Sequence, residues 1–276
     1  MDKLYVIITG AEHCGTTFLS QIIYSIPEVY SAFETGLLLS NNFRGCTPFC
    51  QWIHENHRNH WGVPKKIDFF DKKLTFDDKY KLLFEHKGGG DSFVQNMMRD
   101  SPVIVDKTPA YIRNLQFVRK NSKNIPIIIT LKSSGDMFIS YVVKRKMDLS
   151  VFVDYLNQLM NTMHWIHREK PKNLYVFNYR NIIRPGFGNT LKGILPDMIN
   201  LKEVDINHEN FRKRCGENKY HNAGWKKTQP PKRTMIPMKL KEKLITYDRL
   251  LKEITSQTTK IVNKLNIEYE SKFQNP

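Results

Sequence analysis

The residues best suited to chemistry in this chain lie just after short apolar runs. Gly10-Ala11-Glu12-His13-Cys14-Gly15-Thr16-Thr17 follows the run Leu4–Thr9 and leads into a helical pattern. It is the phosphate-loop pattern G-x-x-x-x-G-K-[ST] with Thr16 standing where the lysine belongs. Backbone N–H groups of such a loop, backed by a helix N-terminus, form an anion cradle. The missing lysine is the one that spans the β- and γ-phosphates in a nucleotide hydrolase. Its absence leaves a cradle for one phosphate-like group, closed by two hydroxyls. A glycine-containing turn with a threonine cap would read the same way in isolation, so the loop gains meaning from its company. Glu34 follows the run Val29–Phe33, and Asp106 and Lys107 follow Val103–Val105. Lys132 ends Ile125–Leu131, with Ser140 eight residues further on, and Asn178 and Tyr179 follow Leu174–Phe177.

The elements that position these residues are legible from their periodicity. The β-branched runs read as buried strands, and between them lie helical patterns at Thr16–Ser25, Asp136–Met147, Val151–Arg168 and Met238–Leu265. Continuous apolar strands alternating with helices predict an α/β fold, a P-loop-like three-layer sandwich around a central parallel sheet. In such a sheet the ligand crevice lies outside the carboxyl ends of the strands. Residues distant in sequence are therefore expected along one edge. No linker, repeat or low-complexity block divides the chain, so residues 1–276 are expected to form one domain. Within it, residues 40–100 read as an irregular insertion on the acceptor side and residues 212–238 as a loop covering a nucleotide.

The loop and the spaced Lys132/Ser140 pair resemble the sulfotransferases that use 3′-phosphoadenosine 5′-phosphosulfate (PAPS). That family carries a G-T-T loop after its first strand for the 5′-phosphosulfate, matched here by Gly15-Thr16-Thr17. It also carries a basic residue at the end of a central strand and a serine eight residues on, which together hold the 3′-phosphate; Lys132 and Ser140 match these, with Lys for Arg. Asp106-Lys107-Thr108-Pro109-Ala110-Tyr111 is similar to the E-K-[TS]-P-A-Y segment of the carbohydrate-modifying, heparan-sulfate-type branch, with Asp for Glu. Gly224-Trp225-Lys226 is similar to a G-x-W-[KR] loop that folds over the nucleotide, and Asn178–Ile182 is similar to a segment that follows a late strand. The resemblance spans about residues 4–265, and residues 40–100 match none of its motifs.

The resemblance implies Glu34 as general base, Lys107 and His13 as groups that stabilise charge on the leaving phosphate oxygen, and Gly15, Thr16, Thr17 and Cys14 as the donor loop. Lys132, Ser140, Gly224, Trp225 and Lys226 complete the implied nucleotide site. PAPS is the implied donor co-substrate, with no metal; the acceptor is a hydroxyl or amine, with a carbohydrate as one candidate. His13 departs from the family, which places Lys or Arg there. A histidine at that point has three readings: a neutral hydrogen-bond donor, a weak contributor, or a bystander whose role falls to Lys107.

Composition sets the outer bounds. The chain has 276 residues, with 43 Lys+Arg against 27 Asp+Glu and a formal charge of +16. Such a balance favours anionic ligands without naming one. Eleven of the Lys/Arg fall between Arg212 and Lys243, where Glu217 and Glu242 are the only acids. That segment suits a lid over a multiply charged nucleotide, with Trp225 against its base. Four cysteines do not make a disulfide framework, and no apolar run reaches 18 residues. A cytoplasmic, reducing location without a membrane span is expected. Cys46, Cys50, His54 and His57 lack the turn between ligand pairs that zinc sites need, so no metal is assigned. Two alternatives from other classes remain. One is a nucleotide or nucleoside kinase on the same scaffold, disfavoured by Thr16. The other is a non-catalytic nucleic-acid-binding protein, which would explain the charge but not the ordered residues at strand ends.

Overall fold

The computed structural model describes residues 4–24, 29–33, 36, 38–39, 103–122, 124–183, 187–195 and 238–274. Among these residues five parallel strands form one sheet: β1 Leu4–Gly10, β2 Val29–Phe33, β3 Val103–Lys107, β4 Ile127–Leu131 and β5 Leu174–Asn178, in the spatial order β2-β3-β1-β4-β5. The helices among the described residues are α1 Thr16–Tyr24, α2 Leu115–Ser122, α3 Ser134–Phe138, α4 Leu149–Glu169, α5 Tyr179–Ile182, α6 Phe187–Thr190 and α7 Met238–Gln274, with a 3-10 segment at Pro109–Asn114.

The central strands are apolar on both sides because both faces are covered. Ile7, Ile127, Ile129 and Leu131 pack beneath α2, α4 and the first half of α7. Val6, Ile8, Val103, Val105 and Ile128 point the other way, against Leu19, Ile22 and Ile23 of α1. This is the expected α/β sandwich of three layers, and the period-two alternation of side chains along each strand builds it.

Two boundaries differ from the sequence expectation for physical reasons. The helix expected over Asp136–Met147 is broken. Ser133 caps α3, and the chain then widens into a π turn at Ile139–Val143, in which the Lys144 N–H reaches the Ile139 carbonyl at 3.0 Å. The β-branched pair Val142-Val143 fits an α-helix poorly, and Tyr141 is drawn aside to donate to the Glu12 carbonyl. The last helix runs on to Gln274, because nothing between Leu265 and that point breaks it.

Helix α7 also closes a sheet edge. Its first half belongs to one core and its Val262 to the other, so it crosses β5. There the Thr258 hydroxyl accepts the N–H of Val176 at 3.0 Å, satisfying an edge-strand donor that would otherwise be buried without a partner. Among the described residues no helix is long and apolar enough to cross a membrane.

Candidate functional site

Strands β1 and β4 are neighbours whose chains leave in opposite directions. From β1 the chain passes over β3 to reach β2; from β4 it goes outward to β5. Such a reversal opens a crevice at the carboxyl ends of the two strands. The glycine loop sits on one side of it and Lys132 on the other.

Two glycines let the loop enter this space. A Cβ on Gly10 would lie 2.1 Å from the Thr130 carbonyl of β4. Gly15 has a φ of 90°, which L side chains rarely adopt, and a Cβ there would lie 2.2 Å from the Tyr179 ring. Cys14 anchors the turn: its N–H donates to the Ala11 carbonyl at 3.0 Å, and its thiol is turned into the core. Burial pushes that thiol up to about 12, although the Lys132 charge and the Lys132 backbone N–H act in the opposite direction. Thr16 is buried at the start of α1 and Thr17 is exposed beside it.

Lys132 is half-buried with its Nζ 4.9 Å from the centre of the Tyr179 ring, a cation–π contact. Tyr179 thus touches both the loop and the lysine. Withdrawal from water lowers the Lys132 pKa; Cys14 and Asp136 oppose the shift, and Lys144 and Arg145 reinforce it. The segment is held from behind by α7. Tyr247 donates to the Lys132 carbonyl at 3.2 Å, and Asp248 accepts from the N–H and hydroxyl of Ser134 at 2.7 and 2.6 Å. Asp136 forms the N-terminal turn of α3 and pairs with Arg180 at 3.0 Å, which raises the Arg180 pKa through that hydrogen bond. Ser140 lies in the π turn, half-buried.

One strand over, Lys107 is only 1% exposed at the carboxyl end of β3, in register with Ile8 on the α1 side of the sheet. An amine buried that deeply must be met by polar partners, because leaving it unpaired away from water is costly. Its neighbour Asp106 faces the other side, in register with Ile7. The two Asp106 oxygens accept from the hydroxyls of Thr108 at 2.8 Å and Tyr111 at 2.7 Å. Those hydroxyls in turn accept the N–H groups of Gly36 and Leu38, each at 3.2 Å. Asp106 therefore anchors the backbone just beyond β2. A kinase would need a carboxylate at a strand end turned to a metal-bound phosphate; both oxygens of this one accept from hydroxyls of its own segment.

Of the residues singled out in the sequence, His13, Cys14, Gly15, Thr16, Thr17, Lys107, Lys132 and Ser140 all lie on the elements that line the carboxyl edge of the sheet. Glu34, Gly224, Trp225 and Lys226 lie outside the described residues, as do Cys46, Cys50, His54 and His57. Among the described residues no cluster of three metal-binding side chains occurs. Sequence reasoning placed Tyr179 at a strand end but gave it no contact with the loop, and it missed Asp248 and Arg145 entirely.

No protein-family model matches the chain, and no curated protein sequence matches it. Solved structures do. The sulfotransferase domain from the Synechococcus PCC 7002 olefin synthase superposes with a TM-score of 0.50 over 90% of this chain and 94% of that one, at 11% identity. The chain has a sulfotransferase fold. A sulfotransferase domain from the curacin biosynthetic pathway matches with a TM-score of 0.49 over 91% of this chain and 98% of that one, at 13% identity. A sulfotransferase from Alicyclobacillus acidocaldarius matches at 0.41, covering 94% of this chain and 96% of that one, at 11% identity.

Proposed function

We propose that this chain transfers a sulfuryl group from PAPS to a hydroxyl or amine of an acceptor. The observation that carries the reading is the pairing, across the β1/β4 crevice, of a lysine-free glycine loop with Lys132 at the end of β4. That arrangement suits a ligand with two separate anionic groups. Gly15, Thr16 and Thr17 hold the 5′-phosphosulfate on a loop that Cys14 anchors. Lys132 and Ser140 hold the 3′-phosphate. Gly224, Trp225 and Lys226, within residues 212–238, cover the nucleotide, and residues 40–100 select the acceptor. The sulfotransferase fold supports this reading, and the Asp106–Tyr111 segment, through its resemblance, favours a carbohydrate acceptor. The reducing, cytoplasmic setting inferred from cysteine usage belongs to the same reading.

The donor supplies an activated sulfuryl group on a phosphate leaving group. Glu34 takes the proton from the acceptor as the new S–O or S–N bond forms and the bond from sulfur to the bridging phosphate oxygen breaks. Lys107 and His13 stabilise the charge that gathers on the departing oxygen. Lysines and backbone amides provide the positive field, so no metal enters the proposal. The kinase alternative loses support from Thr16 and from the engagement of Asp106; nucleic-acid binding rests on net charge alone.

The test is a thermal shift of the full chain with adenosine 3′,5′-bisphosphate, AMP, ATP with Mg²⁺, and an oligonucleotide. A ligand at 100 times its Kd stabilises by about 2.7 kcal/mol, a shift of several degrees for a chain of this size. The expected order is bisphosphate well above AMP, with little response to the others. A response to ATP with Mg²⁺ that exceeds the bisphosphate response would favour the kinase.

A further inference from the structure

The glycine loop itself carries no permanent positive charge. Between Gly10 and Thr17 the only ionisable side chains are Glu12, His13 and Cys14. Glu12 is paired with Arg113, and Cys14 is a buried thiol. An anion cradle normally includes a lysine, so a cation is expected from elsewhere.

It comes from the segment around the π turn. An Arg145 N–H donates to Nδ1 of His13 at 3.0 Å. Guanidinium groups have donors only, so Nδ1 must be the acceptor and the ring proton resides on Nε2. The contact is not incidental to the loop's shape. His13 has a φ of 60°, which presents its ring to the π turn, and the Tyr141 ring lies against it with centres 5.8 Å apart. Tyr141 donates to the Glu12 carbonyl, and the Glu12 N–H donates to the Tyr155 hydroxyl at 3.2 Å. The backbone on the N-terminal side of His13 is thus fixed to α4 and to the π turn. That turn also brings Lys144 and Arg145 close enough to act on Lys132.

We propose that Arg145 is a positioning residue acting through His13: it holds the imidazole as an Nε2–H donor and stands behind it as the cation that the loop lacks. The pairing stands on the His13–Arg145 geometry alone; its catalytic use rests on the sulfotransferase reading. The π turn then has a purpose, since an uninterrupted helix from α3 would carry residue 145 to a different azimuth.

The experiment uses the full chain with ¹⁵N-labelled histidine, His13→Gln serving to assign the resonances. At pH 8, His13 in the unsubstituted chain should show a single Nε2–H tautomer, and Arg145→Met should move its ring nitrogens toward the average of two. Donor turnover is then followed as formation of adenosine 3′,5′-bisphosphate from PAPS with 2-naphthol and a heparan oligosaccharide as acceptors. Arg145→Met should lower kcat about 10–100-fold with KM for the donor within about threefold, the size expected for loss of support to one preorganised donor. His13→Lys added to Arg145→Met should restore kcat to within about fivefold, because a lysine in the loop supplies the cation directly. Unchanged His13 resonances in Arg145→Met overturn the pairing whether or not the chain transfers sulfate. Shifted resonances with turnover within twofold of the unsubstituted chain overturn the role, as does a loss that His13→Lys does not restore. Shifted resonances in a chain that neither binds adenosine 3′,5′-bisphosphate nor transfers sulfate support the pairing and overturn the sulfotransferase reading together with the catalytic use.

Discussion

Replacing Lys132 tests the nucleotide reading most directly. Lys132→Met keeps the apolar stem over Tyr179, where the Nζ now stands 4.9 Å from the ring centre, and removes the charge. A charge-assisted hydrogen bond to phosphate contributes about 1.5–3 kcal/mol, or about 10–150-fold in affinity at ~1.36 kcal/mol per decade. Adenosine 3′,5′-bisphosphate and AMP differ only in the 3′-phosphate. By isothermal titration calorimetry, Lys132→Met should weaken the bisphosphate by that factor and AMP by less than about threefold. The same residue sets a pH dependence. Burial lowers the Lys132 pKa, so it loses its proton at a lower pH than an ordinary lysine. Only the protonated form attracts the anion, so bisphosphate affinity should fall as pH rises into the alkaline range. Lys132→Arg, which stays charged throughout, should flatten that fall. Equal losses for the two nucleotides in Lys132→Met, or an identical alkaline decline in Lys132→Arg, would refute the assignment.

Gly15→Ala should destabilise the chain by at least ~2 kcal/mol in urea denaturation, because the new Cβ meets both a positive φ and the Tyr179 ring. Adding Tyr179→Ala should recover the steric part and leave about 1–2 kcal/mol of backbone cost, so strictly additive losses would contradict the contact. The Cys14 thiol, held near pKa 12, should resist iodoacetamide at pH 8 in the folded chain and react once urea is added, read by peptide mass spectrometry; rapid modification of the folded chain would show that it is not buried. Glu34→Gln should lower sulfate transfer about 10²–10⁴-fold with bisphosphate affinity unchanged. Asp106→Asn should instead cost about 1–3 kcal/mol of stability, since an amide cannot accept from both hydroxyls, and full turnover in the first variant with loss in the second would exchange the two roles.

The strands were legible because their chemistry is local: Leu4–Gly10 and Val103–Lys107 are apolar runs that only a doubly covered sheet can accommodate. The carboxyl-edge residues followed from the same reasoning, since a strand end is readable wherever the run stops. What escaped depends on partners distant in the chain. Asp248 lies 114 residues beyond Ser134, and no local pattern marks it as a cap for that turn. Arg145 lies 132 residues beyond His13 and reaches it from beyond a π turn whose extra residue defeats a 3.6-residue reading. Tyr179 was visible as a strand-end residue, but its fit against Gly15 depends on how closely β5 follows β4 and β1, which only the folded sheet reveals.

Helix α7 gives this fold a definite order of completion during synthesis. Residues 238–274 leave the ribosome after all five strands have emerged. Until then the Val176 N–H on the outer strand has no Thr258 to meet, and the turn after β4 has neither Tyr247 nor Asp248 behind it. A nascent chain at that stage presents an open strand edge and an apolar sheet face, the surfaces most prone to capture by another unfinished chain. Polysomes stalled before residue 238 should therefore carry a chain that depends on chaperones and has an incomplete β1/β4 crevice. Release of the last helix closes the edge and braces Lys132 in the same event, so solubility and ligand binding should be acquired together.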